Sequence, residues 1–221
     1  MPLEHTVLSH TFVGVWTTPL PGIPNMDAGL LQNLFGDPYT TNIGFGQDGS
    51  LVVKRMMKPP ASMALFGPLR FQIICPTLGE MVQAFGKLRQ EAYTRTNQQI
   101  PHLSSLGINT EHEWTRETFS PRFLAERYIR KGLFDAPIDA EVITQTINFG
   151  LKLTSPPRLY NIQLQPRAGR DDGIFAAVND HRDWLTPVPT APEIEALFND
   201  SVRDIAERLT PLLVGGVAEN A

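Results

Sequence analysis

The amino-acid sequence predicts an α+β fold, in which largely antiparallel strands form one or two sheets with helices on one face. Short segments rich in β-branched and aromatic residues recur along the chain, separated by Gly, Pro and Asp. Two longer segments instead repeat apolar residues at helical spacing. The chain has 221 residues, of which 42% are hydrophobic, so it is long enough to bury a core without disulfide bonds.

The first half of the chain, residues 1–98, has the predicted order β-α-β-β-β-α. The predicted elements are a strand over 6–17, a short helix ended by Gly36, a hairpin over 40–46 and 51–56, a strand over 69–75 and a helix over 77–94. The hairpin follows from Asp48-Gly49, a pair that favours tight turns between strands. The second helix begins at a capping box, in which Thr77 and Glu80 each satisfy a backbone donor of the first turn.

The second half, residues 99–216, has the same predicted order. Its predicted elements are a strand over 102–114, a helix from Ser120-Pro121 to Gly132, three strands near 142–153, 159–165 and 173–180, and an amphipathic helix over 191–213. The two halves are expected to pack together as one globular body. Residues 217–221 follow a Gly-Gly pair and are predicted to be a flexible tail.

Two short similarities leave open that the chain consists of two pseudo-repeated βαβββα halves. The last helix of each half starts with Pro-Thr-x-x-Glu, at Thr77 and again at Thr190. The opening strand of each half ends in a tryptophan, Trp16 or Trp114. Such caps also recur by chance, so internal duplication is a hypothesis at this point.

Charge and cysteine content exclude several function classes. The net charge of −4 disfavours non-specific binding to nucleic acids or anionic membranes, which is driven by basic residues. The single cysteine, Cys75, excludes an internal disulfide, and its position on an apolar strand face predicts a buried, unreactive thiol. Neither a signal peptide nor a membrane-length apolar segment is recognisable, so a soluble cytoplasmic protein is predicted.

Gly44-Phe45-Gly46-Gln47-Asp48-Gly49 matches the G-x-G-x-x-G pattern of dinucleotide-binding loops. That loop must lie between a strand and a helix whose amide groups receive the pyrophosphate. Here a second strand follows directly. We therefore interpret the glycines as a hairpin connection that binds no nucleotide.

One alternative function is a metal-dependent hydrolase or nuclease. Its candidate catalytic residues are His112, on a predicted strand, and Asp180 and His181, at the end of another. Imidazole and carboxylate groups bind divalent metals, provided that they converge in space. His112, however, shares its strand face with apolar residues such as Trp114, and neither cluster has H-E-x-x-H spacing. No metal and no cofactor is predicted.

A second alternative is nucleic-acid binding by a basic, aromatic-containing segment. Its five cationic residues are Arg116, Arg122, Arg127, Arg130 and Lys131. Arginine beside aromatic residues suits phosphate pairing and base stacking. Acidic neighbours in the same segment favour a solvated helix face instead.

The favoured hypothesis is a non-enzymatic binding or assembly protein. Nothing in the chain matches a nucleophile elbow or a phosphate-binding Walker loop. The apolar segment 59–66, Pro-Pro-Ala-Ser-Met-Ala-Leu-Phe, is predicted to be a loop of the kind that marks interfaces. The expected partner is another protein or a second copy of the chain, contacted through a sheet face, a sheet edge or this loop.

Overall fold

The computed structural model describes residues 3–19, 28–36, 41–47, 49–55, 61–95, 100–116, 147–154, 157–167, 172–183 and 187–214. Within these ranges the chain forms nine strands and three helices. The strands are β1 (Glu4–Trp16), β2 (Thr41–Phe45), β3 (Leu51–Arg55), β4 (Met63–Phe66), β5 (Arg70–Cys75), β6 (Leu103–Thr115), β7 (Ile147–Thr154), β8 (Pro157–Pro166) and β9 (Gly173–Arg182). The helices are α1 (Ala28–Gln32), α2 (Leu78–Arg95) and α3 (Ala191–Val214).

The strands form a nine-stranded antiparallel sheet in the order β2-β3-β4-β5-β1-β6-β9-β8-β7. From β2 to β1 each strand pairs with its neighbour in antiparallel register, and β7 pairs with β8 in the same way. The predicted α+β class is therefore confirmed. None of the helices in the described ranges is long and apolar enough to cross a membrane.

By contact density the chain divides into two compact units. Unit 1 comprises Met1–Leu8, Thr110–Asn179 and Ser201–Ala221, and unit 2 comprises Ser9–Asn109 and Asp180–Asp200. Each unit combines segments from both predicted halves, and duplication of the halves remains a prediction. Within the described residues, the first strand of each half neighbours the last strand of that half and the others follow in reverse chain order, but the first half has five strands and the second has four.

Each unit has its own hydrophobic core, in which strand residues pack against helix residues. In unit 2 the strand residues Phe12, Val53 and Ile73 pack with Phe85 of α2 and Phe198 of α3, all at most 2% exposed. In unit 1, Trp114, Tyr160 and Ile174 pack with Ile205 and Leu209 of α3, again at most 2% exposed. Both patterns follow from apolar residues spaced by two along strands and by three or four along helices.

The predicted loop over 59–66 is partly wrong. Met63–Phe66 form β4, which pairs with β3 and β5 and buries Ala64 and Phe66 at 0% and 4% exposure. The first half therefore has one strand more than the order β-α-β-β-β-α. The four residues Met63–Phe66 are all apolar, so the sequence shows no alternation of polar and apolar residues that would distinguish a strand from a loop.

The two predicted capping boxes differ in the groups that they pair. At α2 the Oγ1 atom of Thr77 accepts a hydrogen bond from the Glu80 amide at 3.3 Å, while the Glu80 carboxylate binds other residues. At α3 the Glu193 carboxylate accepts from both the amide and the hydroxyl of Thr190, at 2.6 and 2.8 Å. These hydrogen bonds lower the pKa of Glu193. A full capping box has two reciprocal hydrogen bonds between side chain and backbone, and each of these two boxes forms one of them.

The predicted turn glycines are confirmed. Gly36, after α1, and Gly49, in the β2–β3 turn, have φ angles of 78° and 77°, which residues with a Cβ rarely adopt. The predicted helix from Ser120 to Gly132 and the tail at 217–221 lie outside the described residues.

Candidate functional site

Strand β2 is one end of the sheet order, and its outer backbone groups have no described strand beside them. The amide of Gly46 donates to the Ser50 carbonyl at 2.7 Å, so these two residues face each other as a hydrogen-bonded pair. Because such pairs alternate in an antiparallel ladder, the amide and carbonyl groups of Ile43 and Phe45 point away from β3. Outward-pointing groups of a terminal strand can accept a strand from another chain.

Two exposed apolar side chains accompany these backbone groups. Phe45 is 67% exposed and Ile43 is 37% exposed, and both lie on the same face of β2. Each stands in register with a fully buried residue of β3: Ile43 opposite Val53 and Phe45 opposite Leu51. The strand itself, Thr-Asn-Ile-Gly-Phe, carries no charged residue and no proline, the devices by which proteins usually protect an edge.

The two residues extend rows of the unit 2 core to the edge of the sheet. One row runs from Phe12 through Ile73, Ala64 and Val53 to Ile43. The other runs from Gly14 through Phe71, Phe66 and Leu51 to Phe45. In each row the side chains from β1 to β3 are buried and the last one, on β2, is exposed.

The opposite face of the same strands is mixed in character. A row across the sheet there consists of Val13, Gln72, Leu65, Val52 and Gly44, and its side chains are partly exposed. All three described helices contribute instead to the core on the other face. This outer face is the second place where a partner could contact the sheet; in this row its aliphatic side chains are interrupted by the polar side chain of Gln72.

His112 lies in the interior of unit 1 and is 0% exposed. Its Nδ1 atom is 2.9 Å from Nε2 of His5, and its Nε2 atom is 2.7 Å from the Thr110 hydroxyl. The His5 ring stacks on Trp114, with ring centroids 4.6 Å apart. Burial lowers the pKa of His5, because a charged imidazole loses hydration there. A hydrogen-bonded core histidine is therefore what the structure shows at position 112.

Asp180 and His181 belong to unit 2, where each has a partner within two residues. Asp180 is 0% exposed, and its carboxylate lies 3.0 Å from Arg182. The Nε2 atom of His181 lies 2.7 Å from the exposed carboxylate of Asp183. Among the residues that the structure describes, no group of three or more His, Cys, Asp or Glu side chains could hold a metal ion. His112, Asp180 and His181 accordingly form no such group.

The predicted basic segment is described only at its start. Arg116 is half-buried, and its amide donates to the Asp172 carbonyl at 2.8 Å. Arg122, Arg127, Arg130 and Lys131 lie outside the described residues, so nucleic-acid binding by this segment stays a prediction.

Cys75 is fully buried, as the sequence predicts. Burial, and to a smaller extent the negative charge of Glu80, raise the pKa of its thiol. Next to it, Arg55 and Glu80 form a two-point ion pair at 2.9 and 3.1 Å, and Arg55 also donates to Ser62 at 3.0 Å. The thiol is neutral at physiological pH and is a poor nucleophile.

A comparison of the chain with protein-family models and with curated proteins gave no match. The structural observations therefore carry the functional argument alone. Ile43 and Phe45 lie in the hairpin that the sequence predicts, but no local pattern identifies that hairpin as the exposed edge of the sheet. Pairing order decides which hairpin is terminal, and that order depends on contacts between distant segments. The available signal was the run of five uncharged residues at 41–45.

Proposed function

We propose that this chain is a non-enzymatic, cytoplasmic binding or assembly protein that adds a strand of a protein partner to the outer edge of β2 at Ile43 and Phe45. One observation carries the proposal: Ile43 and Phe45 are exposed on an uncharged terminal strand whose outer amide and carbonyl groups have no described strand beside them. The single buried cysteine is compatible with a reducing compartment.

A partner strand at this edge gains two kinds of interaction. Backbone groups of Ile43 and Phe45 supply hydrogen bonds, each of which contributes about 0.5–1.5 kcal/mol net. Covering the Phe45 ring, which is 67% exposed, contributes about 1–2 kcal/mol more. Strand addition of this type derives its affinity from the main chain and its specificity from alternate side chains. An extended apolar segment is therefore the expected form of the partner.

The direct test compares two lysine substitutions at exposed apolar positions. Phe45→Lys places a charge on the edge, whereas Leu69→Lys makes the same change at a 54% exposed residue outside every strand. Tagged wild type and both variants are cross-linked in cell extract, and bound proteins and nucleic acids are identified by mass spectrometry and absorbance. We expect a protein that is enriched by the wild type and by Leu69→Lys and is lost with Phe45→Lys.

A backbone substitution then separates strand addition from simple apolar contact. Ile43→Pro removes one outward amide and leaves the inward amides of β2 available to β3. With the purified partner, amide hydrogen exchange at 41–45 should slow in the wild type, and Ile43→Pro should weaken binding. A partner that binds Phe45→Lys as tightly as the wild type, or nucleic acid as the enriched species, contradicts the proposal.

A further inference from the structure

The exposed part of β2 is complementary to a second copy of itself. Ile43 and Phe45 are two positions apart, lie on one face of the strand and point their amide and carbonyl groups away from β3. Gly44, between them, has no side chain on the opposite face. In an antiparallel pair with a two-fold axis at Gly44, Ile43 of each copy stands opposite Phe45 of the other. The same contact then occurs twice, as a symmetric interface requires.

This register uses the outward backbone groups and the apolar side chains together. Each Ile43–Phe45 pair exchanges two hydrogen bonds, so the two copies share four. An aromatic residue opposite a β-branched one is a favourable cross-strand pair. The two Gly44 residues form the central pair without hydrogen bonds, where Cα atoms approach to about 4.5 Å. Shifting one strand by two residues would instead place Phe45 opposite the polar Thr41.

Charge does not oppose this pairing. β2 carries no charged residue, and the neighbouring strand β3 ends with Lys54 and Arg55. Lys54 is in register with Asn42, so the two-fold axis separates the two copies of Lys54 by three strand spacings and four residues, or roughly 20 Å. That distance exceeds the Debye length of about 8 Å at physiological salt. Arg55 has its counter-charge in Glu80, 2.9 Å away.

The area available at the edge sets the strength of the association. Phe45 is 67% exposed and Ile43 is 37% exposed, which together amounts to on the order of 200 Å² per copy. The two copies therefore bury about 400 Å² of these residues, against about 1,200–2,000 Å² in stable interfaces. The expected dimer is weak and depends on the protein concentration.

We propose that the strand added to the edge of β2 is β2 of a second copy of this chain, paired antiparallel about Gly44. This inference rests on the proposed function and makes it specific, because the partner is the same protein. The apolar rows of unit 2 that end at Ile43 and Phe45 then continue into the corresponding rows of the second copy.

Disulfide trapping tests the register in the purified full chain. Gly44 is exposed, and a Cβ atom there meets no atom within 4 Å, so Gly44→Cys fits the strand. Two-fold pairing places the two new thiols opposite each other, at a Cα separation that a disulfide accepts. Gly79→Cys is the matched control, since Gly79 of α2 is equally exposed and open. Cys75 is buried and does not compete.

Under a mild oxidant, Gly44→Cys should form a covalent dimer at least about tenfold faster than Gly79→Cys. Adding Phe45→Lys to Gly44→Cys should remove this difference, because it places two like charges at the interface. Sedimentation equilibrium from about 10 µM to 1 mM should show the mass of the wild type rising towards that of a dimer and Phe45→Lys remaining monomeric. Circular dichroism verifies that each variant is folded.

Three results would each overturn the proposal: trapping of Gly44→Cys no faster than that of Gly79→Cys, a wild type that stays monomeric up to about 1 mM, or a Phe45→Lys variant that associates like the wild type. The cell-extract experiment separates this failure from a failure of the proposed function. If the purified wild type is monomeric but Phe45→Lys still loses a different protein from the extract, strand addition stands and self-pairing is wrong.

Discussion

The Nε2 atom of His5 on β1 lies 2.9 Å from the Nδ1 atom of His112 on β6, and the rings are nearly parallel, at 8°. A neutral imidazole has one donor and one acceptor nitrogen, so the proton position on one ring fixes it on the other. If His5 donates, His112 accepts at Nδ1 and donates from Nε2 to the Thr110 hydroxyl, 2.7 Å away. Two protonated rings would direct donors at each other, so the arrangement requires at least one neutral histidine.

Acid is therefore expected to destabilise the fold. Burial lowers the pKa of His5 and of His10 below the ordinary value of 6.5. Between that value and the lower native pKa the unfolded chain binds more protons, so the free energy of unfolding falls as the pH falls. The stabilisation is complete above pH 6.5 and is lost progressively below it. Urea denaturation from pH 8 to pH 5 measures the slope.

Two variants test whether His5 causes the pH dependence of the free energy of unfolding. His5→Gln should flatten the pH dependence, while His102→Gln, at an exposed position, should retain the wild-type slope. Equal slopes in His5→Gln and the wild type would show that His5 is not responsible.

Substitution of the two candidate catalytic histidines is expected to affect stability unequally. His112→Ala leaves buried partners without hydrogen bonds and should cost about 1–3 kcal/mol. His181→Ala removes only a pair with an exposed carboxylate and should change stability by less than about 0.5 kcal/mol. Chemical denaturation measures both, and elemental analysis of the wild type runs in parallel. Stoichiometric metal that is lost from both folded variants would support the hydrolase hypothesis instead.

Gly14 is predicted to be intolerant of any side chain. A Cβ atom at this position would lie 2.3 and 2.6 Å from two ring atoms of Phe71. The ring must then move within a packed core, so Gly14→Ala should destabilise by about 1–3 kcal/mol. Combining it with Phe71→Leu, which shortens the clashing group, should cost less than the sum of the single changes. If the destabilisation of the double variant equals the sum of the two single values, the Phe71 ring is not the obstacle.

The Arg55–Glu80 pair offers a test of partly buried ion pairing. The two side chains are 23% and 16% exposed and meet at two points. Glu80→Gln leaves Arg55 without its counter-charge and should destabilise by about 1–3 kcal/mol. Replacing both, as in Arg55→Met with Glu80→Leu, should cost less than the two single changes together, because no unpaired charge remains. A double-mutant cycle by urea denaturation measures the coupling.

Cys75 should resist thiol reagents until the protein unfolds. It is fully buried, and burial raises the pKa of its thiol. An Ellman-type assay should find no reactive thiol in the native protein and one after addition of urea. Rapid labelling in native buffer would contradict this prediction.

Local patterns predicted most elements of the fold, because caps, turn glycines and apolar periodicity are properties of short segments. The helix predicted over 77–94 is observed as Leu78–Arg95, and the strand over 173–180 as Gly173–Arg182. The strand β4 was not predicted, because only its pairing with β3 and β5, and no local pattern, distinguishes it from an apolar loop.

The candidate sites depend on distant contacts, which no local pattern encodes. His5 and His112 are 107 positions apart in the chain, and their pairing follows from the order of β1 and β6 in the sheet. The exposure of Phe45 similarly depends on which strand ends the sheet.

The position of β1 in the sheet order has a consequence during synthesis on the ribosome. β1 lies between β5 and β6, and its register partners include Cys75 opposite His10. At about 5–20 residues per second, β5 is translated several seconds after β1. Throughout that interval Phe12 and Trp16 belong to a nascent segment whose pairing partners do not yet exist. Chaperones that hold extended apolar segments would encounter β1 first. Because β5 and β6 are both translated after β1, β1 can pair with them only after their synthesis.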